Sequence, residues 1–242
     1  MRKKTKFMLY PLILVVVLIV LVWSCKKDDT PSLKSNTIIN SDGKTGTVAD
    51  IEGNVYKIVK IGTQWWMAEN LKTTMYNDSS SISLVTDNTA WSLLETGAYC
   101  FFNNDASNSK VYGVLYNWYA VTDSRNLAPK GWHIPSDTEL QTLITYLGGT
   151  NVAGGKLKEE GTTHWDSPNT GATNESNFTA LPGSYRNRDG VFGRIGDEGY
   201  WWTSAYTNTE SCYLGASYGD IRTIIIFKTS GFSVRCVKDL DN

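Results

Sequence analysis

Histidine is scarce in this sequence, which has 242 residues and only two His. So few imidazoles leave little material for a histidine-based metal centre or for the base partner of a catalytic thiol. Net charge is also nearly absent, because 23 Lys and Arg oppose 24 Asp and Glu. A nucleic-acid binder normally carries a basic face, so this balance argues against that class. We therefore expect no nucleic-acid partner and no cofactor.

Catalytic motifs are missing as well. The sequence contains no phosphate-binding loop, Rossmann glycine pattern, nucleophile elbow or HExxH zinc motif. An enzyme needs ionisable groups that converge in a pocket, and this His-poor composition supplies few of them. The sequence therefore predicts a protein that is not an enzyme.

Aromatic residues and glycine are plentiful instead. The chain has nine Trp, thirteen Tyr and 21 Gly, whereas charged residues make up only 19%. This composition is typical of a turn-rich β or α+β protein and not of a helical bundle or a disordered chain. The length is sufficient to bury a sizeable core.

The N-terminus has the features of a secretory signal. Residues 2–6 include four basic side chains, residues 7–23 carry no charge, and Cys25 follows Ser24. A basic start, an apolar stretch and a small residue before the next segment are typical of such signals. Because the Ser24–Cys25 pair resembles a bacterial lipobox, we expect residues 1–24 to be a lipoprotein signal peptide and Cys25 to be lipidated. The alternative is an uncleaved membrane anchor, for which about 17 apolar residues are barely enough.

The segment after Cys25 is polar. Residues 26–29, Lys-Lys-Asp-Asp, resemble the surface-export signal of Bacteroidetes lipoproteins, and a solvated charged tether is a compatible interpretation. We expect residues 25–47 to form the lipidated Cys and a flexible tether, and residues 48–242 to form one domain. The acyl chains would hold the protein in the outer membrane, with this domain on the cell surface.

Local patterns predict the secondary structure of the domain. Strand composition at 55–61 and 64–68 around a Gly-Thr turn predicts a hairpin. Ser136 and Glu139 form a capping box before an apolar helical stripe that ends at Gly148-Gly149. Further expectations are a loop at 76–97, a strand at 98–102, a helix at 112–121, and strands at 199–205, 211–216, 222–228 and 231–237.

The pattern within the strands predicts how they pack. Residues 224–227 are continuously apolar, so their strand is expected to be central and covered on both faces. Adjacent side chains in a strand point to opposite faces, so Trp65 and Trp66, and likewise Trp201 and Trp202, are expected on opposite sides. The predicted class is α+β, with two short helices on a mostly antiparallel, meandering sheet.

Six blocks of sequence, in order, carry a family resemblance. They include Gln-Trp-Trp-Met-Ala-Glu-Asn-Leu at 64–71 and Gly-Tyr-Trp-Trp-Thr-Ser at 199–204, and the others are residues 50–56, 113–121, 131–136 and 231–237. Together they resemble the Fibrobacter succinogenes major paralogous domain, found mainly in secreted proteins and lipoproteins of Bacteroidetes and Fibrobacteres. The resemblance covers nearly all of residues 48–239. It implies no catalytic residues, since the family has no agreed activity.

The order of elements is also similar to the C-type-lectin-like fold. A short helix, the segment 132–136 before a capped helix, and Trp-containing strands ending in a Cys strand carry this similarity. The sulfatase-modifying enzymes share the plan. The chain lacks the Glu-Pro-Asn and Trp-Asn-Asp motifs of the calcium-dependent sugar site, and it lacks the close Cys pair of the modifying enzymes. A similarity of fold alone does not establish a function.

Candidate ligand-binding residues lie in the loops. Trp91 and Trp165 have polar neighbours, so their rings are expected to be exposed and to contact a ligand. Tyr185, Arg186 and Arg188 offer aromatic and guanidinium groups, with a solvated turn as the alternative. Oxygen ligands for calcium occur nearby, but the spacing of an EF-hand is missing, so no metal is expected.

Three Cys remain beyond the lipidated one, namely Cys100, Cys212 and Cys236. An exported protein can keep disulfides, and three thiols allow one bridge. The sequence does not choose among the three possible pairings, but Cys212 and Cys236 lie on proposed neighbouring strands and are a possible pair, whereas Cys100 lies on an earlier strand. Buried free thiols are the alternative.

The sequence therefore predicts a cell-surface lipoprotein with a non-catalytic recognition module for a glycan or an envelope protein. A structural or adhesion component of the envelope is the alternative, and an enzyme ranks third. A glycan binder needs a groove with an exposed ring beside polar side chains. A structural protein would instead show an apolar patch or an open sheet edge.

Overall fold

The computed structural model of this chain describes residues 36–204 and 210–240. The predicted signal peptide and the lipidation site Cys25 lie outside the described residues. In the described ranges, no helix is both long and apolar enough to cross a membrane.

Short strands provide most of the regular structure. They are β1 (Thr37–Ile39), β2 (Thr45–Ala49), β3 (Val55–Ile61), β4 (Gln64–Met67), β5 (Ser83–Leu84), β6 (Ala98–Cys100), β7 (Leu115–Tyr116), β8 (Trp132–His133), β9 (Glu198–Trp202), β10 (Glu210–Gly215), β11 (Arg222–Ile225) and β12 (Val237–Lys238). The α-helices are α1 (Asn88–Ser92), α2 (Ser109–Tyr112), α3 (Trp118–Val121), α4 (Asp137–Tyr146) and α5 (Thr150–Leu157). Paired strands are antiparallel except β5 and β6. The predicted α+β class and the β3–β4 hairpin are confirmed.

The largest sheet has the order β1-β2-β3-β4-β12-β8 and buries side chains on both faces. Trp65 is partly buried and packs against a first core, whereas Trp66 belongs to a second core beneath α4 and α5. Trp202 and Trp201 divide in the same way between the first and second cores. The prediction that adjacent Trp rings point to opposite sides is therefore confirmed, and the alternation of the strands is what separates the two cores.

The capping box of α4 is present as predicted. The Glu139 backbone N–H donates to Ser136 Oγ at 3.3 Å, and Glu139 Oε2 accepts from the Ser136 N–H at 2.8 Å. The helix ends at Gly148 and Gly149, whose φ values are +102° and +96°. These contacts satisfy backbone groups that lack helical partners at the helix ends.

Residues 112–121 do not form one helix, so that prediction is wrong. Gly113 has a φ of +73°, and a Cβ there would lie 2.7 Å from the Leu71 carbonyl oxygen. The chain therefore turns at Gly113, and Leu115 and Tyr116 pair with β6 before α3 begins. Of the apolar residues at helix-like spacing, Leu115 lies in β7, and Trp118 and Val121 lie in α3.

The strand that contains Ile224 and Ile225 is not central, which corrects a second prediction. In the sheet β11-β10-β9 it lies at the edge. Ile225 is 63% exposed and Phe227 is 53% exposed. An apolar run shows that a strand can be buried, but only the neighbours it acquires in the tertiary structure decide whether it is.

The prediction of a flexible tether is wrong for its last residues, which lie in paired strands. Residues 37–39 and 45–49 pair as β1 and β2, and β2 pairs with β3. The Trp132 Nε1–H also donates to Thr37 Oγ1 at 2.9 Å. The folded domain therefore includes residues before Val48, because polar composition does not prevent an edge strand from pairing.

The predicted Cys212–Cys236 disulfide is not formed. Among the described residues Cys100, Cys212 and Cys236 are free and buried. Cys212 packs in the second core and Cys236 in the first, so the sheet separates them. Burial raises the pKa of the Cys212 thiol to about 12, as expected for a thiol in apolar surroundings.

Buried cations support the long connections between strands. Lys158 is fully buried, and its Nζ donates to the carbonyls of Thr170, Gly215 and Tyr218 at 2.8–2.9 Å. Burial lowers the pKa of Lys158 to about 8, so the ammonium keeps its three protons at neutral pH. Carbonyls in irregular segments have no partner in a sheet ladder. The Lys158 ammonium therefore donates one hydrogen bond to each of these three carbonyls.

Helix α5 packs through glycine against backbone, which yields a first testable expectation. The Gly155 N–H donates to the Gly219 carbonyl at 2.8 Å, and a Cβ at Gly155 would overlap the carbonyl oxygen of Gly171. Gly155→Ala gains about 1 kcal/mol of helix propensity, but the overlap with rigid backbone costs more. We expect a net loss of about 2 kcal/mol in chemical denaturation.

Val152→Ala is the matched control for Gly155→Ala, because Val152 lies on the same helix and is 47% exposed. It should change the free energy of unfolding by less than about 0.5 kcal/mol. Equal effects of the two substitutions would contradict close packing of α5 through Gly155.

Candidate functional site

An open groove runs along the β2–β3 hairpin. It consists of two adjoining clefts of about 640 Å³ and 620 Å³, both lined by Thr45, Val59 and Asn177. We call it the hairpin groove. Each cleft has the size of a typical small-molecule site, and together they form an elongated surface.

The pleat of the hairpin places polar side chains in the groove. Thr45 and Thr47 of β2 line it, and their cross-strand partners in β3 are Val59 and Lys57. Val48, between Thr47 and Ala49, points instead into the first core. Strand alternation therefore directs Val48 into the first core and places Thr45 and Thr47 on the opposite face, along the groove.

Tyr146 supplies an aromatic surface at one end of the hairpin groove. It is the last residue of α4 and is 65% exposed. Gly62 has a φ of +61°, and a Cβ there would lie 2.9 Å from the Tyr146 ring. The ring therefore rests on the turn between β3 and β4, where only glycine leaves it enough room. An exposed ring held in place in this way is suited to stacking on a ligand.

The opposite wall is a loop held in a left-handed conformation. Asn174, Asn177 and Thr179 have φ values of 47°, 56° and 54°. A positive φ is unfavourable for a β-branched residue such as Thr179. Asn174 Oδ1 accepts from the Thr179 N–H at 2.9 Å and holds the loop in this shape. Strain that is maintained by surrounding contacts is frequent at binding sites.

Arg235 lies at the base of this wall. Its guanidinium is buried and donates to Asn70 Oδ1 at 2.8 Å, to the Thr179 carbonyl at 2.8 Å, and to the Phe178 carbonyl. Burial lowers the pKa of Arg235 to about 9, so it remains charged at neutral pH. Arg235 therefore positions the strained loop against the hairpin.

The Trp residues predicted to be exposed lie inside the protein, so that expectation is wrong. Trp91 is 0% exposed and Trp165 is 1% exposed. Trp165 donates from Nε1 to the Ala180 carbonyl at 2.8 Å, and Arg186 stacks over Trp91 at 4.4 Å. Polar neighbours in sequence did not reveal that distant segments cover both rings.

Arg186 is also buried, in contrast to the predicted ligand contact or solvated turn. Its guanidinium lies over the rings of Trp91 and Phe192. It donates at 2.6–2.9 Å to the carbonyls of Val85, Thr86 and Gly190 and to Asn88 Oδ1. These four hydrogen bonds engage four of the five N–H donors of the side chain with acceptors of the protein itself, so Arg186 has a structural role.

The other two candidates of that segment lie away from the hairpin groove. Tyr185 is half-buried and packs edge-on against Tyr200 at 5.0 Å. Arg188 is exposed and lies 4.3 Å from the Phe227 ring centroid. The structure brings Trp91 and Arg186 together, but it does not gather the five predicted residues into one site.

Sequence reasoning missed Tyr146, although a signal was present. The apolar stripe of α4 contains Leu143, Ile144 and Leu147, and Tyr146 lies off this stripe. A large aromatic residue on the polar side of an amphipathic helix indicates a surface contact. The groove beside it depends on the tertiary structure and left no local pattern.

His133 is hydrogen-bonded through both of its ring nitrogens. Its Nδ1 lies 2.6 Å from Asp239 Oδ1, and its Nε2 lies 2.8 Å from Glu139 Oε1. Burial alone would raise the pKa of Glu139, but hydrogen bonds from Ser136 and the nearby His133 hold it below its ordinary value. This contact ties α4 to the segment after β12.

Fold and groove together define a small α+β domain with an open, elongated groove. Residues 59–238 match the model of the Fibrobacter succinogenes major domain, so the chain belongs to that family. No curated protein and no solved structure matches the chain. Among the described residues, no three His, Cys, Asp or Glu side chains lie close enough together to hold a metal ion.

Proposed function

We propose that this protein is a non-catalytic recognition module that binds a glycan in the hairpin groove. The observation that carries the proposal is the 65% exposed Tyr146 ring, seated on Gly62 beside a polar groove. A sugar has an apolar C–H face that packs on an aromatic ring and hydroxyls that need donors and acceptors. The Tyr146 ring offers a surface for the C–H face of the sugar. Thr45, Thr47 and Asn177 offer donors and acceptors for its hydroxyls.

A glycan array probed with the full chain in mild detergent tests this proposal. We expect binding that Tyr146→Ala weakens at least about fivefold, because removal of an aromatic contact commonly costs about 1 kcal/mol or more. Phe227→Ala is the matched control, since Phe227 is 53% exposed and lies outside the groove. Absence of binding to every glycan, or equal loss in both variants, would overturn the proposal.

A structural or adhesion role in the envelope is the second candidate. None of the described strands pairs with the outer edge of β11, and Ile225 and Phe227 are exposed there. This favours the role, because unpaired strand edges accept further strands. Ile225→Lys should abolish association with an envelope partner under this hypothesis while leaving glycan binding intact. Loss of glycan binding in Ile225→Lys would argue against two separate surfaces.

We also propose that the protein is lipidated at Cys25 and displayed from the outer membrane, and that its fold follows the C-type-lectin-like plan. The basic start, the apolar stretch and the Ser24–Cys25 pair support lipidation. The capped helix α4 directly after β8 and the Trp pair of β9 support the fold.

Metabolic labelling with palmitate tests the anchor. Cys25→Ala should abolish labelling, because Cys25 supplies the sulfur that carries the diacylglycerol. Ser24→Ala keeps a small residue before Cys25 and should remain labelled. Continued labelling of Cys25→Ala would refute lipidation at that position.

A further inference from the structure

We infer that the hairpin groove binds internal segments of a linear polysaccharide and does not need the end of a chain. This inference rests on the proposed function and specifies its ligand class. It follows from the length of the groove and from the surfaces at its two ends.

The groove is long enough for several sugar units in a row. Strand β3 and the turn after it line the groove without a break from Lys57 to Gly62. Because a strand rises about 3.3 Å per residue, this stretch is about 16 Å long. A single pyranose ring is much shorter, so one sugar stacked on Tyr146 would leave most of the groove unfilled.

One end of the groove opens onto the outer face of α4. Tyr146 lines the groove and also borders a shallow depression beside the exposed residues Thr142 and Thr145. Every residue that lines this depression belongs to α4, so among the described residues no second segment covers it. A chain that stacks on Tyr146 can therefore continue past the ring into solvent.

The other end of the groove is open as well. Beyond the pair formed by Thr47 and Lys57, the hairpin continues to the pair formed by Ala49 and Val55. Alternation places Val55 on the same face as Lys57, and Val55 is 56% exposed. The part of the chain that the structure describes thus leaves this end of the hairpin face uncovered, so a ligand can leave the groove here too.

Polar side chains are spread along the groove and not gathered at one end. Thr45 and Asn177 line both clefts, whereas Tyr146 lines only the first and Thr47 only the second. Successive units of a chain therefore meet donors and acceptors for their hydroxyls along the whole path. A site for a chain end would instead surround the terminal unit and block the path beyond it.

A length series tests the inference on the full chain in mild detergent. The probes are cello-, xylo-, manno- and malto-oligosaccharides, from the disaccharide to the hexasaccharide, added to the glycan array. We expect affinity for the series that binds to rise at least about tenfold with length and then level off, because each unit adds contacts until the groove is filled. A hexasaccharide with its reducing end converted to the alditol and its other end methylated should keep its affinity, since its internal units are intact.

Thr47→Met tests whether the chain passes through the second cleft. Methionine places a longer, apolar side chain in the path, so the affinity for the hexasaccharide should fall towards that for the disaccharide. Thr223→Met is the matched control, because Thr223 is an exposed strand residue outside the groove, and it should leave the series unchanged. The series measured on the unaltered chain decides the inference even if Thr47→Met does not fold.

The outcomes separate the two proposals. Equal affinity for the disaccharide and the hexasaccharide, loss of binding when both ends are modified, or binding to branched array glycans alone would overturn the inference and leave glycan recognition standing. A folded Thr47→Met variant with an unchanged series would also overturn it. Binding of none of these oligosaccharides and of no array glycan would overturn both proposals.

Discussion

Replacing Arg186 by methionine is expected to destabilise the fold by about 4 kcal/mol. Methionine keeps part of the side-chain volume but removes every donor. The carbonyls of Val85, Thr86 and Gly190 would then be left without the guanidinium. Hydrogen bonds to a charged group contribute more than neutral ones, and a buried acceptor that loses its partner adds a desolvation cost.

Chemical denaturation followed by Trp fluorescence measures this loss. Arg188→Met is the matched control, since Arg188 lies two residues further along the chain and is exposed, and its effect should stay below about 0.5 kcal/mol. Arg186→Lys should recover little of the lost stability, because an ammonium group cannot reproduce the planar guanidinium that lies over Trp91 and Phe192. A loss below about 1 kcal/mol in Arg186→Met would contradict this role.

Replacing Lys158 by methionine is expected to cost about 3 kcal/mol. Its ammonium joins three carbonyls from the segments around Thr170, Gly215 and Tyr218. The Thr170 N–H also donates to the Ala216 carbonyl at 2.8 Å, so the lysine adds three hydrogen bonds to a contact between these segments that the backbone already makes. Its loss should weaken the packing of the loops that surround α5.

Lys156→Met is the control for Lys158→Met. Lys156 is two residues earlier and reaches only Glu175, in a partly exposed pair at 3.4 Å, so its removal should change stability by less than about 1 kcal/mol. Hydrogen exchange localises the effect, because Lys158→Met should increase exchange around residues 170 and 215–218 first. Uniform exchange across the whole domain would contradict a local linking role.

Predictions that depended on a few neighbouring residues agreed with the structure. The capping box at Ser136 and Glu139 needs only residues three apart, and the β3–β4 hairpin needs only a short turn. The division of Trp201 and Trp202 between two cores follows from strand alternation alone. Local geometry decides these features, so a single sequence carries enough information to predict them.

Predictions about exposure failed where long-range packing decides the result. Trp91 looked exposed, yet Arg186 from a segment about a hundred positions away covers it. Ile225 looked buried, yet no described strand pairs with the outer side of β11. Neither the apolar character of a run nor the polarity of its neighbours shows which distant segment will lie against it.

The sequence by itself determined the α+β class, the family, the first turns of the capped helix and the absence of familiar catalytic motifs. It also carries the basis for the proposed lipid anchor. Only the tertiary structure decided that Tyr146 rests on Gly62 and that Arg186 and Lys158 face inward. The physical reason is that about half of this domain consists of irregular connections, whose carbonyls and side chains acquire their partners from segments distant in the chain.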